Sequence, residues 1–446
     1  MTAPPDLRSI EDVASRIRSR ALSPVDLARA CLDRIDARRD LNAFITVTRD
    51  AALADAAAAE REIATGRYRG PLHGVPVSLK DLIDVAGTPT TCGSAVPARH
   101  PSRDSALVAR LREAGAVIVG KTNLHEFAFG TTGEESAFGP ARHPLDLSRS
   151  PGGSSSGSAV AVREGMCFGS VGTDTGGSVR IPAAASGIVG LKPSLNELPC
   201  AGIVPLSGTL DHAGPLARSV DDVRIMFHAL KGRVGPAAVG GGERFSFGVP
   251  EPYFCARLDP DVRRSLAGAR ERLADDGHRV RSVSVEHAAR TADVYLHIVL
   301  PEASWFHAPT LQRYADRYSP GVRLRLEMGR YVLAEDYLRA MYMRTVLTRA
   351  VDRALAGCDA LLLPALAIAA PRLGDASVDV DGRQEPVRAV MLRLTQLFNI
   401  TGHPAIALPA GTRRDGLPVS MQLVGHLGAT DRLLDLAAAV ESRLHT

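Results

Sequence analysis

Lysine is scarce in this 446-residue chain, although basic residues are not. Lysine and arginine together number 53, yet the lysines are only Lys80, Lys121, Lys192 and Lys231. An arginine keeps its proton near neutral pH, whereas a buried lysine can lose its proton and act as a base. A lysine within an apolar stretch of such a chain is therefore a candidate for proton transfer, and Lys80 stands in one.

Other absences exclude several classes of protein. The six cysteines form no CxxC pair, and the thirteen histidines lack ligand spacing, so we expect no disulfide framework, no metal and no other cofactor. No block of basic residues suggests a nucleic-acid partner, and the net charge of +4 is small. No apolar run is long enough to span a membrane, and the N-terminus has no signal-peptide pattern. We therefore expect a cytoplasmic protein without a membrane partner.

The order of apolar segments predicts an α/β fold. The first part of the chain is predicted to be helical, with Ser9 and Ser23 as N-caps. From about residue 75, short apolar runs, including 203–205, alternate with helical stretches, which is typical of buried strands between helices. Strand-like runs near both ends could share one sheet, so we expect a single domain spanning 1–446. We expect a helical part at about 1–65 and a catalytic core at about 71–224. A variable substrate-side part follows at about 234–358 and begins with a Gly/Ala-rich loop at 234–242. The chain then returns to the sheet at about 359–446.

Two familiar motifs stand in contexts that contradict their usual functions. Residues 115–122 match the P-loop pattern, but Ala-Val-Ile-Val between the glycines favours a buried strand over a turn around phosphate. Residues 153–157 match the GxSxG pattern, but the polar, proline-broken segment before them cannot supply the strand that a nucleophile elbow needs. We expect neither a nucleotide site nor an α/β-hydrolase.

Two loops rich in serine and glycine are the most informative part of the chain. They read PGGSSSGSA at 151–159 and GTDTGGS at 172–178, and their glycines allow the backbone to approach a substrate closely. An amide carbonyl is a weak electrophile, so a serine must lose its proton as it attacks. Lys80, among apolar neighbours, would be pushed towards its neutral form and could accept that proton.

These loops and their surroundings resemble the amidase signature family. GVPxxxKD at 74–81, PGGSS at 151–155 and GTDxGGS at 172–178 follow one another in family order. Further matching stretches lie at 180–184, 190–193, 211–218, 399–405 and 416–425. The resemblance covers most of the chain and implies a mixed central β-sheet flanked by α-helices. It also implies hydrolysis of a carboxamide C–N bond through an acyl-serine intermediate, with release of ammonia or an amine.

The resemblance also assigns roles to particular residues. Ser178 matches the nucleophile, Lys80 matches the base, and Ser154 matches a bridging serine that follows a cis peptide bond, here Gly153–Ser154. The oxyanion hole is matched by the backbone N–H groups of Thr175, Gly176, Gly177 and Ser178. The supporting residues are Ser155, Asp174 and Arg180.

The substrate is not readable from the sequence beyond a small-molecule amide. An amidotransferase subunit that passes ammonia from glutamine to a tRNA-binding partner remains an alternative, as does a hydrolase of a small, allophanate-like ureido acid. A scaffold without activity would need the loss of a catalytic residue, and none is missing. The sequence also leaves a homodimer open.

We expect variable segments at 200–207 and 299–342 to build the substrate pocket. Six side chains within or directly after the second segment would suit an apolar acyl group, although their helical spacing is more typical of a core: Trp305, Phe306, Tyr337, Met341, Tyr342 and Met343.

Overall fold

The computed structural model describes residues 9–233 and 243–444, so the loop expected at 234–242 lies outside the described residues. The strands are β1 Phe44–Val47, β2 Pro76–Lys80, β3 Val117–Thr122, β4 Gly169–Asp174, β5 Val189–Lys192, β6 His212–Ala217, β7 Ser246–Pro250, β8 Arg279–Val283, β9 Ala360–Pro364, β10 Ser377–Val380, β11 Arg383–Pro386, β12 Ala405–Thr412 and β13 Pro418–Val424. The α-helices are α1 Ile10–Arg18, α2 Pro24–Ala37, α3 Arg49–Ala64, α4 Ala106–Glu113, α5 Ser156–Arg163, α6 Arg180–Ser186, α7 Val220–Leu230, α8 Pro260–Asp275, α9 Thr291–Tyr314, α10 Pro320–Gly329, α11 Ala334–Leu355, α12 Val387–Leu392, α13 Leu397–Ile400 and α14 Thr430–Leu444.

A mixed sheet of 11 strands forms the centre of the molecule, with helices packed on it. The strand order is β1-β3-β2-β4-β6-β5-β12-β13-β9-β7-β8, so strands from both ends of the chain belong to one sheet. β2 pairs in parallel with β3 and β4, whereas β6 runs antiparallel to β4. The expected α/β fold with a mixed sheet and flanking helices is confirmed. Within the described residues, no helix has the length and apolar character that crossing a membrane requires.

Local sequence signals account for many of the element boundaries. The side chain of Ser9 accepts a hydrogen bond from the Asp12 amide at the start of α1, and Ser23 caps α2 in the same way. The P-loop-like segment forms buried strand β3, as expected. The strand expected at 203–205 is wrong: Ile203 forms only an isolated bridge to Ile83, and Pro205 has no N–H with which to continue a ladder.

Parallel pairing of β2 and β4 places their carboxyl ends at the same edge of the sheet. Lys80 is the last residue of β2, and Asp174 is the last residue of β4. In β6, His212 pairs with Asp174, so Asp211 also lies at this edge. Three segments that are distant in sequence therefore deliver charged side chains to one place.

Some aromatic side chains expected in the core are exposed. Trp305 on α9 is 81% exposed and Tyr342 on α11 is 71% exposed, so the core interpretation is wrong for both. Phe306 also counts among the exposed apolar side chains, whereas Tyr337, Met341 and Met343 pack partly buried against the core. Helical spacing alone could not distinguish these environments, because α9 is apolar around much of its circumference and only one face meets the protein.

Candidate active site

Lys80 lies at the centre of the candidate site and is completely buried. Its Nζ donates to the Ser154 hydroxyl at 2.7 Å and to the Thr173 hydroxyl at 2.9 Å. Burial lowers the pKa of Lys80 to about 7, although the carboxylates of Asp174 and Asp211 act to raise it. The amine can therefore exchange a proton near neutral pH with a hydroxyl already in contact.

Two other lysines are buried in the same sheet, but their partners differ. Lys121 on β3 forms an ion pair with Asp81, with Nζ 2.7 Å from the carboxylate oxygen. Lys192 on β5 donates to the Pro193 carbonyl at 3.0 Å. Only Lys80, among these three, donates to both a serine and a threonine hydroxyl.

Ser154 and its neighbours form a tightly packed loop that leads into α5. The peptide bond between Gly153 and Ser154 is cis, as expected. The Ser154 carbonyl accepts from the His125 amide at 3.1 Å, which ties the loop to the segment after β3. A Cβ on Gly153 would lie 2.8 Å from the Gly133 amide nitrogen, so the loop has no room for a side chain there. The position of the Ser154 hydroxyl is therefore fixed from several directions.

Ser178 lies in the loop between β4 and α6, beside the Ser154 loop. Its carbonyl accepts from the Ser155 amide at 3.3 Å, and the Ser155 hydroxyl donates to the Thr173 carbonyl at 3.3 Å. Ser155 thus connects the two serine loops. Among the described residues, the Ser178 hydroxyl makes no hydrogen bond to Ser154 or Lys80, so only the Lys80 to Ser154 contact of the expected relay is formed.

The backbone of residues 175–178 presents four amide groups without partners. Within the described part of the chain, no acceptor bonds the N–H of Thr175, Gly176, Gly177 or Ser178, although all four residues are buried. Buried N–H groups almost always find an acceptor, so four consecutive exceptions indicate a place for an acceptor from a ligand. The loop is held from behind, since Thr395 donates from Oγ1 to the Gly176 carbonyl at 2.6 Å.

Asp174 and Arg180 form a buried ion pair that supports this loop. The guanidinium donates to both carboxylate oxygens, at 2.9 Å and 3.0 Å. It also donates to Asn399 at 2.7 Å and to Gln422 at 2.9 Å. Burial acts to raise the pKa of Asp174, but the Arg180 charge and its hydrogen bonds outweigh burial and hold that pKa well below its usual range. Asp174 also accepts from the Val179 amide, just beyond Ser178.

Asp211, the residue before β6, supports the first residue of the amide loop. Its carboxylate accepts from the Thr175 hydroxyl at 2.5 Å and from the Leu206 and Ser207 amides at 2.9 Å and 3.1 Å. Burial raises the pKa of Asp211 to about 6, although these hydrogen bonds act to lower it. The carboxyl group therefore titrates just below neutral pH beside the amide loop.

Sequence reasoning gave no role to several residues that hold the site. Thr173 binds the Lys80 amine, Thr395 holds Gly176, and Asn399 and Gln422 hold Arg180. Thr173, Asp211, Asn399 and Gln422 did lie in stretches that matched the family, at 172–178, 211–218, 399–405 and 416–425. Thr395 lies outside these stretches, so no sequence signal singled it out.

A cavity of about 190 Å³ reaches Thr173 and Asp211 and is lined in part by Cys200, Ile203 and Pro205. These residues come from the segment expected to build the pocket. A separate cleft of about 210 Å³ between α4 and α7 includes none of the site residues, so we do not place the substrate there. Among the described residues, no group of three or more histidine, cysteine, aspartate or glutamate side chains could hold a metal ion.

Comparison with known proteins gives the family. The Amidase family model matches residues 26–434. An amidase of Pseudomonas putida is 39% identical over 92% of this chain and 90% of its own length. A glutamyl-tRNA(Gln) amidotransferase subunit of Carboxydothermus hydrogenoformans is 35% identical over 97% of this chain and 96% of its own length. A crystal structure of an amidase superposes with a TM-score of 0.93 at 38% identity, covering 98% of this chain and 99% of that one.

The fold and the site define a class of hydrolytic enzymes that have a mixed α/β fold, with a lysine and two serine loops at one edge of the sheet. The chain belongs to the amidase signature family. It is an amidohydrolase that acts on carbon–nitrogen bonds of linear, non-peptide amides, as the sequence predicted.

Proposed function

We propose that Ser178 is the nucleophile, that Lys80 is the base and that the Ser154 hydroxyl relays the proton between them. One observation carries the proposal: a completely buried amine lies 2.7 Å from Ser154 and has a pKa lowered to about 7. A base works best when its pKa is close to the operating pH, because it is then both available and strong enough.

The proposed reaction balances without a metal or cofactor. Neutral Lys80 accepts the Ser154 proton as Ser154 accepts the Ser178 proton, and the Ser178 oxygen bonds to the amide carbon. The carbonyl oxygen becomes an oxyanion, which accepts from the amides of residues 175–178. The relay then runs backwards, so the nitrogen leaves protonated as its bond to carbon breaks. Water attacks the acyl-serine through the same relay, and the carboxylic acid is released.

Ammonia or amine release by the purified protein alone tests this proposal. We would supply aliphatic, aromatic and ureido amides without ATP, tRNA or a second polypeptide, and we expect hydrolysis of at least one class. Ser178→Ala gives the background. If wild type did not exceed this variant on any amide, the assigned roles would be wrong. The ureido amides address the allophanate-like alternative directly.

We further propose that the enzyme is free-standing and works in the cytoplasm, where its six free cysteines would remain reduced. One observation favours the alternative of a subunit that needs a protein partner. Large apolar side chains on and between α9, α10 and α11 are exposed, and such surfaces often mark protein interfaces. They are Trp305, Leu324, Met328, Tyr331, Leu333, Leu338 and Tyr342.

Sedimentation and substrate choice separate these arrangements. A free-standing enzyme acts on simple amides as a monomer or as a homodimer. Consumption of glutamine alone, and only after a partner polypeptide is added, would favour the amidotransferase subunit instead.

A further inference from the structure

Within the described residues, Arg388 has no ion-pair partner, and it stands on a helix that contacts the amide loop. Arg388 lies on α12, and the last residue of this helix, Leu392, packs against Gly176. A Cβ added to Gly176 would be 2.9 Å from Leu392 Cδ2. The Nε atom of Arg388 is buried and has no hydrogen-bond partner among the described residues. Burying part of an arginine without a neighbouring anion destabilises the fold, because the guanidinium loses its water and gains no carboxylate in return.

The carboxylate within electrostatic range of Arg388 is already engaged. Glu135, which lies within electrostatic range, accepts from Arg325 and from the Gly321 amide, at 2.7 Å and 2.9 Å, and lies 3.0 Å from His125 Nε2. Arg325 itself has a buried Nε without a partner in the described chain. Glu135 is therefore committed to Arg325 and His125, and within the described residues Arg388 has no ion pair of its own.

Tyr295 connects this cluster to the amide loop. Its hydroxyl would be 2.7 Å from a Cβ on Gly176, so it lies against the loop itself. The same tyrosine is within electrostatic range of Arg388 and Arg325, and also of the carboxylates of Asp211 and Asp174, which support the loop. No hydrogen bond from the Tyr295 hydroxyl is formed within the described residues, so it is available to a ligand. Tyr295 therefore contacts the amide loop and lies within electrostatic range of the Arg388 guanidinium, which links the two.

We propose that Arg388 binds a carboxylate of the substrate, so that the preferred amides are anionic, such as the half-amides of dicarboxylic acids. A guanidinium and a carboxylate match in charge and in planar geometry, which gives this pairing its selectivity. The inference names the substrate class of the proposed active site and rests on that function. It also argues against the apolar acyl group that the aromatic residues of α9 and α11 suggested. The two most exposed of these residues, Trp305 and Tyr342, point to solvent.

Steady-state kinetics on matched substrate pairs test the inference. Succinamate and glutaramate would be compared with their methyl esters, which lack the charge and are longer by one methyl group; ammonia release reports hydrolysis of the amide alone. Wild type should prefer an anionic amide by at least about tenfold in kcat/KM. Arg388→Gln should raise KM for that amide by about 10- to 100-fold, the usual weight of a hydrogen bond to a charged group, with little effect on kcat. Arg388→Lys should recover part of the loss, and Arg330→Gln, an exposed arginine after α10, is the matched control.

Calorimetric binding of succinate and glutarate separates this inference from the proposed reaction. We expect binding to wild type and to Ser178→Ala, and its loss in Arg388→Gln. If neutral amides are hydrolysed equally well and Arg388→Gln affects both members of a pair alike, the carboxylate site is refuted while the reaction stands. If no amide is hydrolysed but a dicarboxylate binds in an Arg388-dependent manner, the site stands and the assigned reaction fails.

Discussion

Replacing Lys80 by arginine should abolish turnover while keeping the positive charge. A lysine of ordinary pKa 10.5 is neutral in about one molecule in three thousand at pH 7, whereas a pKa of about 7 leaves about half of the molecules neutral. Burial therefore raises the working form roughly a thousandfold. An arginine has no accessible neutral form, so Lys80→Arg should lose at least about a thousandfold in kcat/KM.

The assay is initial-rate ammonia release from pH 5.5 to 9.5 on the best substrate of the panel. Wild-type activity should rise through one ionisation near pH 7 and then level off, because the neutral amine is the active form. Lys231→Arg is the matched control, since Lys231 pairs with Glu197 outside the site. Retention of a tenth of wild-type activity by Lys80→Arg, or a profile without this ionisation, would refute Lys80 as the base.

The same ionisation should appear in the stability of the fold. The pKa of Lys80 is lower in the folded state than in the unfolded chain, so the unfolded chain binds more protons between about pH 7 and pH 10.5. The free energy of unfolding should therefore rise with pH across this window. Below pH 7 the buried amine is charged, and the full destabilisation from burying this charge should apply. Lys80→Met removes the titrating group, so its melting temperature should exceed that of wild type at pH 7 and approach it towards pH 10.

Three further predictions follow from the loop contacts. Ser178→Ala should fold normally and lose at least about a thousandfold in turnover. Ser155→Ala should cost only about 1 kcal/mol of stability and retain measurable activity. Loss of activity in Ser155→Ala but not in Ser178→Ala would support a nucleophile elbow instead. Gly177 has φ +143° and a Cβ there would collide with Thr395 Oγ1, so Gly177→Ala should lower kcat at least tenfold, with normal kinetics as the contrary result. Arg180→Met leaves its partner carboxylate buried and unpaired, so urea unfolding should show a loss of about 3–5 kcal/mol, and an unchanged midpoint would contradict a supporting role.

The α/β class, the mixed sheet with flanking helices and several of its strands could be predicted from the sequence, whereas helices α5 and α6 beside the serine loops were not predicted. Short-range signals account for what was predicted: N-caps at Ser9 and Ser23, β-branched runs in the strands, and glycine where the loops pack closely. The single-domain boundaries and the roles assigned to Lys80, Ser154 and Ser178 stay predictions. The strand expected at 203–205 failed because a proline interrupts pairing, which an apolar run by itself does not reveal.

What the sequence could not give is the set of long-range contacts that distinguish chemically identical side chains. Lys80 and Lys192 both end buried strands, and burial lowers the pKa of each. Lys80 contacts hydroxyls from two later segments, whereas the Lys192 amine donates to the carbonyl of the next residue. The pKa shift alone would thus make both lysines candidate bases, and only Lys80 has a hydroxyl through which a proton can leave. Arg180 and Arg388 differ in the same way, because Arg180 is bound by Asp174 and by the side-chain amides of Asn399 and Gln422, while Arg388 has no such partner in the described part of the chain. Beside the amide loop, the groups that the fold leaves without a partner are the ones available to a substrate.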